Sequence, residues 1–112
     1  MKAVFVVTWR DVRAGREATA VEYAREVDAY WAGPASRRLC SEPSWRPVEN
    51  GTSHWFVEGE LTDLLLLTST TRARWLTLKG AFVAEGFEEH IYATGRRRLR
   101  AMESLLREEH LI

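Results

Sequence analysis

Two stretches of the sequence carry alternating side chains of the kinds that transfer protons. His54 and Glu58 have the same phase in the first, and His90 and Tyr92 have the same phase in the second. Alternate residues of a β-strand lie on one face, and histidine changes its charge near neutral pH. We therefore expect His54, His90 and Tyr92 as candidate catalytic residues, with Tyr92 and Glu58 orienting a substrate hydroxyl. The alternative is that these are rim or interface residues with satisfied hydrogen bonds.

A metal site is a weaker interpretation of the same residues. His54, His90 and Glu58 lack the ligand spacing typical of zinc sites, so we predict no metal and no cofactor. The single cysteine, Cys40, leaves no partner for an internal disulfide and is consistent with a reducing compartment. We expect a buried or half-buried thiol, because a reactive thiolate needs an electropositive pocket.

Aromatic residues form a second set of candidates. The chain has five tryptophans among 112 residues. Large aromatic side chains at this density are typical of a subunit interface or of a pocket for a flat ligand. The alternative is that they belong to the core. The candidate substrate-binding residues are Trp9, Tyr23, Trp55, Trp75 and Glu58.

Length and charge limit the classes of protein that fit. A chain of 112 residues predicts one domain with a core of its own. Sixteen basic residues balance sixteen acidic ones, which does not favour nucleic acid or an anionic membrane as a partner. The basic run Arg96–Arg98 has two interpretations, a phosphate-binding patch and the solvated start of a helix. We expect the second. No stretch has the length of a signal-peptide core or a membrane span, so we expect a soluble, cytoplasmic protein.

The stretch Trp45–Glu60 predicts a β-hairpin. Asn50-Gly51 lies between two aromatic and β-branched runs, which is the strongest local signal for a two-residue turn. Pro43 and Pro47 lack an amide donor, so the first arm suits a sheet edge. A two-residue turn places Glu49 opposite Thr52, Val48 opposite Ser53, Arg46 opposite Trp55 and Trp45 opposite Phe56.

The remaining segments complete a β-α-β-β-α-β order. We predict a ferredoxin-like α+β fold with a four-stranded antiparallel sheet, in which the second strand lies at an edge and the first and third are central. The expected domain is 1–95, and residues 96–112 form an amphipathic C-terminal helix. The expected elements are a strand at Lys2–Trp9, a turn at Asp11–Gly15, a helix from Arg16 to Gly33-Pro34, a helix capped at Thr62-Asp63 that breaks at Thr68–Thr71 and stops at Gly80, and a strand at Phe87–Thr94.

With these elements the chain resembles the dimeric α/β-barrel superfamily, which includes antibiotic-biosynthesis monooxygenases and muconolactone isomerases. The resemblance covers Lys2 to about Gly95 and is carried by KAVFVVTW, WAGP, HWFVEGEL and LTDLLLL. It implies two subunits packed sheet to sheet, each with a pocket between strand 1 and helix 1, where Trp9 and Tyr23 lie. The haem-degrading members use an asparagine on the first strand and a histidine and a tryptophan on the second helical segment. Here the first strand has Thr8 near its end and no asparagine, and no histidine lies near Trp75 in the sequence.

The apolar pattern of strand 1 independently predicts a homodimer. Val4 and Val6 alternate with Phe5, Val7 and Trp9, so the strand is apolar on both faces, whereas two helices cover only one. We expect a homodimer that binds a small apolar or aromatic molecule, with cofactor-independent monooxygenase or isomerase activity as the finer hypothesis. The alternative is a non-catalytic accessory or assembly protein. Nucleic-acid binding through the tail is the least favoured interpretation.

Overall fold

A four-stranded antiparallel sheet forms the centre of the molecule. The structure, a computed structural model, describes residues 1–49 and 51–94, so the expected C-terminal helix and its boundary at residue 95 lie outside the described residues. The elements are β1 (Lys2–Trp9), β2 (Asp11–Val12), α1 (Glu17–Ser36), β3 (Ser44–Glu49), β4 (Thr52–Glu60), α2 (Leu61–Thr68), α3 (Thr71–Val83), β5 (Ala84–Glu85) and β6 (Glu88–Ala93).

The strand order is β3-β4-β1-β6, and every neighbouring pair is antiparallel. The second long strand lies at an edge while the first and third are central, which confirms the predicted ferredoxin-like fold. In β1, Phe5 pairs with Val57 of β4 and with Ile91 of β6, and Val6 pairs with Phe56 and His90. Alternation along these strands therefore divides the sheet into two faces of different composition.

The helices pack against one face of the sheet. Phe5, Trp31, Trp55, Val57 and Leu64 are buried between the two layers. Trp31 stacks on Phe5 at a centroid distance of 5.5 Å and meets Trp55 at 5.7 Å. The other face of the sheet is not covered by any described element. Its residues are therefore exposed or half-buried in the single chain.

The hairpin register differs from the prediction. Gly51 has a φ of +79° and Glu49 pairs with Thr52, as a two-residue turn requires. The register then shifts between Glu49 and Arg46, so Arg46 lies opposite His54 and Trp45 opposite Trp55. The predicted pairs Arg46–Trp55 and Trp45–Phe56 were therefore wrong, whereas Val48–Ser53 falls within the irregular stretch and stays a prediction. One extra residue in β3 at Pro47-Val48 forms a bulge, which Pro47 favours because it has no amide to donate to the ladder.

Both predicted helix stops were also wrong. Helix α1 continues through Pro34 to Ser36, and the left-handed residue after it is Arg38, with a φ of 60°. Helix α3 continues past Gly80 to Val83. A Cβ on Gly80 would lie 2.3 Å from the Phe87 ring and 2.7 Å from the Tyr23 hydroxyl, so this glycine permits close packing and does not end the helix.

The predicted break between α2 and α3 is confirmed, and Thr70 caps α3 by accepting a hydrogen bond from the Ala73 amide. Helix α2 begins at Leu61, earlier than the predicted cap at Thr62-Asp63, because the Leu61 amide donates to the Met1 carbonyl at the start of β1. The expected turn after β1 contains the short strand β2, which pairs with β5.

Candidate functional site

A cavity of about 360 Å³ lies between the helix-covered face of the sheet and α1. Its volume is in the range of small-molecule sites, which is roughly 300–1,000 Å³. The walls are aromatic and aliphatic, and Glu17 supplies a carboxylate among them. The aromatic walls are Trp9, Tyr23, Trp45, Trp55 and Phe87.

Small side chains on one helix leave the space open. Ala20 and Ala24 of α1 line the cavity one turn apart, with Tyr23 and Val27 on the same helix. Residues three and four apart share one helix face, so the sequence ATAVEYAREV presents two alanines and one tyrosine to the sheet. A helix with leucines at these positions would fill the same volume.

The bulge in β3 gives the cavity one of its aromatic walls. A one-residue slip moves every side chain of a strand to the opposite face. The register after Pro47 turns Trp45 to the same face as Trp55, and the two rings meet edge to face at 6.4 Å. Trp45 also contacts Trp9 at 5.9 Å, and its indole nitrogen donates to the Asp28 carboxylate at 3.3 Å. The edge strand is thereby tied to α1 at the side of the cavity.

One of the residues that line the cavity carries a buried hydrogen-bond donor without a partner. Trp55 is 1% exposed, and its indole Nε1 has no hydrogen-bond partner within the described part of the chain. A buried donor without a partner is unusual and costs roughly 1–3 kcal/mol. The Tyr23 side chain also lines the cavity. Burial raises the pKa of Tyr23, and the negative charge of Glu89 raises it further, so this phenol stays protonated at neutral pH.

A small void of about 30 Å³ adjoins the cavity. It shares Val7, Tyr23, Val27 and Trp55 with the larger space and extends to Glu89 of β6. The Glu89 carboxylate accepts a hydrogen bond from the Thr77 hydroxyl. Burial raises the pKa of Glu89, and this hydrogen bond opposes the shift. A proton-accepting group thus lies behind the apolar cavity.

The uncovered face of the sheet forms a second, open concavity. This trough measures about 510 Å³ and is lined by Val4, Val6, Thr8, His54, Phe56, Glu88, His90 and Tyr92. His90 stacks on Tyr92 at 5.6 Å and lies 3.2 Å from the Glu88 carboxylate. Val6 lies between Phe56 and His90 in the ladder. The trough is therefore an exposed surface of mixed polarity, in contrast to the cavity.

The structure separates the predicted site residues into three places. Trp9, Tyr23 and Trp55 lie together in the cavity. His54, His90 and Tyr92 lie together in the trough, on the opposite face of the sheet, and Glu58 is exposed on that same face beside Val4. Trp75 lies on the outside of α3, where Arg72 and Lys79 contact its ring at 4.6 and 4.9 Å.

Trp45 and Glu89 of the cavity region were not among the site residues predicted from the sequence. Trp45 was placed on the wrong face because the bulge at Pro47 was not predicted; a proline inside a strand was the available signal. Glu89 alternates with Phe87 and Ile91, so it is a carboxylate in phase with an apolar face. That mismatch is visible in the string FEEHIYAT and predicts a half-buried carboxyl.

The described residues give little support for a metal site, a reactive thiol or a membrane-spanning helix. They contain no group of three or more histidine, cysteine, aspartate or glutamate side chains arranged to hold a metal ion. Cys40 is buried, and burial raises the pKa of its thiol, which disfavours the thiolate. Within residues 1–49 and 51–94, every helix is too short or too polar to cross a membrane.

Several known structures are similar to this chain in fold. A hydroxynitrile lyase from Passiflora edulis aligns over 85% of this chain and 94% of its own, with a TM-score of 0.61 and 11% identity. A candidate antibiotic biosynthesis monooxygenase from Nitrosomonas europaea aligns over 85% and 91%, with a TM-score of 0.58 and 11% identity. The chain therefore has a ferredoxin-like fold.

A third similar structure is a dimeric ferredoxin-like protein of unknown function from Thermobifida fusca, which aligns over 84% of this chain and 92% of its own, with a TM-score of 0.61 and 8% identity. No family model and no curated protein matches the sequence. At these identities the likeness concerns the fold, and function depends on the site itself.

Proposed function

We propose that this chain is a homodimeric α/β-barrel protein that binds a small aromatic or apolar molecule in the cavity beside α1. The observation that carries the proposal is a cavity of about 360 Å³ whose walls include three tryptophan rings. A space filled by side chains would have favoured the non-catalytic accessory role. An open cavity with a tyrosine in its wall favours ligand binding.

The walls define the class of ligand. Apolar surface gives no compensation for a buried ionic group, so a charged molecule would lose its hydration without replacement. Flat aromatic molecules gain ring contacts with Trp9, Trp45 and Trp55 in addition to burial of their surface. We therefore propose an uncharged aromatic ligand, and phenols and quinones are the compounds to test first.

The finer proposal is cofactor-independent monooxygenase or isomerase activity. Its support is the fold, which a hydroxynitrile lyase and a candidate antibiotic biosynthesis monooxygenase also have, together with the Tyr23 hydroxyl beside the apolar walls. Among the sequence candidates, Tyr23 is the titratable residue that a ligand in the cavity would meet. We propose interface roles for His54, His90 and Tyr92, which is the alternative considered for them in the sequence.

The trough is the proposed surface for self-association. Val4, Val6 and Phe56 are apolar residues on the uncovered face, and a second copy packed sheet to sheet would cover them. The Thermobifida fusca protein with this fold is dimeric, which supports the same assembly here. Pairing would place His90 and Glu88 of each copy between the two sheets.

Thermal unfolding with a panel of phenols, quinones and haem tests ligand binding directly. A compound that binds the folded form stabilises it by about 2.7 kcal/mol at one hundred times its dissociation constant. We expect a higher melting temperature with at least one phenol or quinone and no change with haem. The Ala24→Phe variant is the control, because the larger side chain occupies the cavity. If no compound raises the melting temperature of the wild type, the ligand-binding proposal is wrong.

A further inference from the structure

Glu89 is the feature that ligand binding in an apolar cavity leaves unexplained. It lies on the helix-covered face of β6, among residues such as Phe5, Trp31 and Leu76 that also line the void. Within the described part of the chain, the Thr77 hydroxyl is the one hydrogen-bond partner of its carboxylate. Placing a carboxyl in such surroundings is unfavourable, and a leucine or methionine would pack there at lower cost.

Tyr23 connects this carboxyl to the cavity. Its side chain lines both the cavity and the void, whereas Glu89 lines the void alone. Phe87 contacts the Tyr23 ring at 6.4 Å, and Gly80 leaves room for the hydroxyl beside α3. Among the residues that line the void, Tyr23 and Glu89 are the titratable ones.

The void is large enough for a water molecule, which requires at least about 10–15 Å³ and two or more polar partners. The hydroxyls of Tyr23 and Thr77 and the carboxyl of Glu89 would supply those partners. A water there would accept a hydrogen bond from Tyr23 and donate one to Glu89. The Tyr23 O–H would then be directed away from the cavity, and its oxygen lone pairs would remain free on the cavity side.

We propose that Tyr23 and Glu89 form the polar end of the cavity and select a ligand that carries one hydroxyl group on an otherwise apolar aromatic body. Tyr23 accepts a hydrogen bond from that hydroxyl, and Glu89 is the positioning residue that orients the Tyr23 O–H. The inference rests on the proposed ligand-binding function. It adds the chemical class of the ligand, a phenol, and the atom that recognises it.

Three naphthalene derivatives of similar size distinguish recognition of a hydroxyl group from binding by apolar contacts alone. The probes are 2-naphthol, 2-methylnaphthalene and 2-methoxynaphthalene, with dissociation constants measured by equilibrium dialysis. A cavity without a polar site prefers the methyl compound, because a hydroxyl loses hydration on entry. We expect the wild type to bind 2-naphthol more tightly than either analogue, since only the naphthol has an O–H to donate. Equal or weaker binding of 2-naphthol overturns the inference even without a variant.

Tyr23→Phe removes the accepting oxygen. We expect its affinity for 2-naphthol to fall about tenfold, which is the size of one net hydrogen bond, and its affinity for 2-methylnaphthalene to change less than about twofold. Tyr30→Phe is the matched control on the same helix, because the Tyr30 hydroxyl bonds to the Leu67 carbonyl and Thr70 away from the cavity. An equal loss for both probes in Tyr23→Phe contradicts the inference.

Glu89→Gln tests the positioning role through a pH profile. The preference of the wild type for 2-naphthol over 2-methylnaphthalene should rise with pH, because ionised Glu89 loses its O–H donor and can only accept hydrogen bonds. The variant should show a flat profile over the same range while retaining its circular dichroism spectrum. A profile that persists in Glu89→Gln contradicts the role of this carboxyl. If the wild type binds none of the naphthalenes and none of the phenols and quinones, the proposed function itself fails. Loss of the hydroxyl preference, or no binding of 2-naphthol while other aromatic compounds bind, overturns only this inference.

Discussion

The two faces of the sheet differ in what covers them and in what they can do. The helix-covered face contains residues such as Phe5, Trp31 and Trp55, and it also retains an apolar cavity. The uncovered face presents the trough, where valines and Phe56 alternate with His54 and His90. The histidines, which are the conventional acid-base candidates, therefore lie on the face without an enclosed space. The enclosed space has a tyrosine and a carboxyl behind it.

Removing an aromatic ring from the covered face should have the largest effect. Phe5 is buried and stacks on Trp31, so Phe5→Ala leaves a cavity and should lower the free energy of unfolding by about 3–5 kcal/mol. Urea denaturation measures the change. Its neighbour Val6 lies on the uncovered face, and Val6→Ala is the matched control, expected to cost about 1 kcal/mol or less in the single chain. Equal losses for the two variants would contradict the distinction between the faces.

A charge on the uncovered face should break self-association. Val6→Asp places a carboxylate in each half of the proposed interface, where it loses hydration without a partner. We expect the dimer dissociation constant to rise about a hundredfold, as measured by sedimentation equilibrium. Leu78→Asp is the control, because Leu78 is an exposed apolar residue on the helical side. A wild type that remains monomeric at micromolar concentration would show that the uncovered face has no such role.

Filling the cavity should remove ligand binding while leaving the dimer intact. Ala24→Phe projects a ring into the space beside Tyr23, and we expect the affinity for 2-naphthol to fall at least about tenfold. Ala18→Phe introduces the same ring at an exposed position of α1 outside the cavity wall. Equilibrium dialysis on both variants gives the comparison. Unchanged affinity in Ala24→Phe would place the ligand elsewhere, with the trough as the next surface to examine.

The smallest expected effect is a pH dependence of stability from the carboxyl behind the cavity. Burial raises the pKa of Glu89, so the folded protein holds this proton at a pH where the unfolded chain has released it. The stability that Glu89 contributes is therefore present below the usual glutamate pKa and is lost as the pH rises through the raised value. Glu89→Gln should become more stable relative to the wild type across that window.

The measurement is urea denaturation of both proteins at several pH values. Taking the difference between variant and wild type removes the contributions of Glu22 and Glu60, whose pKa values are lowered by Lys79 and by the terminal amine. A constant difference at every pH would mean that Glu89 has the same pKa in the folded and unfolded states.

The architecture could be predicted from the sequence because its signals are local. Lys2–Trp9 has the continuous apolar pattern of a central strand, and Asn50-Gly51 fixes a two-residue turn. The element order then leaves few topologies, and the observed strand order agrees with the predicted one. The break between α2 and α3 was likewise readable from the run of threonine and serine at 68–71.

The cavity region was harder to predict because it depends on contacts between distant segments. The bulge at Pro47 decides the face of Trp45, and periodicity alone gives the opposite face. Gly80 looked like a helix stop, whereas its role is to admit Tyr23 of α1 and Phe87 of the connection between β5 and β6. The proton-transfer candidates were chosen by residue type, which favoured His54 and His90 over a carboxyl whose surroundings only the fold defines.

The indole N–H signals of the five tryptophans, followed in a ¹⁵N-correlated NMR spectrum during titration with 2-naphthol, test the central claim most directly. If the ligand binds in the cavity beside α1, the signals of Trp9, Trp45 and Trp55 should move, and that of Trp75 on the outside of α3 should stay in place. Single Trp→Phe variants assign the signals. A titration that saturates while those three signals remain unchanged would contradict the account.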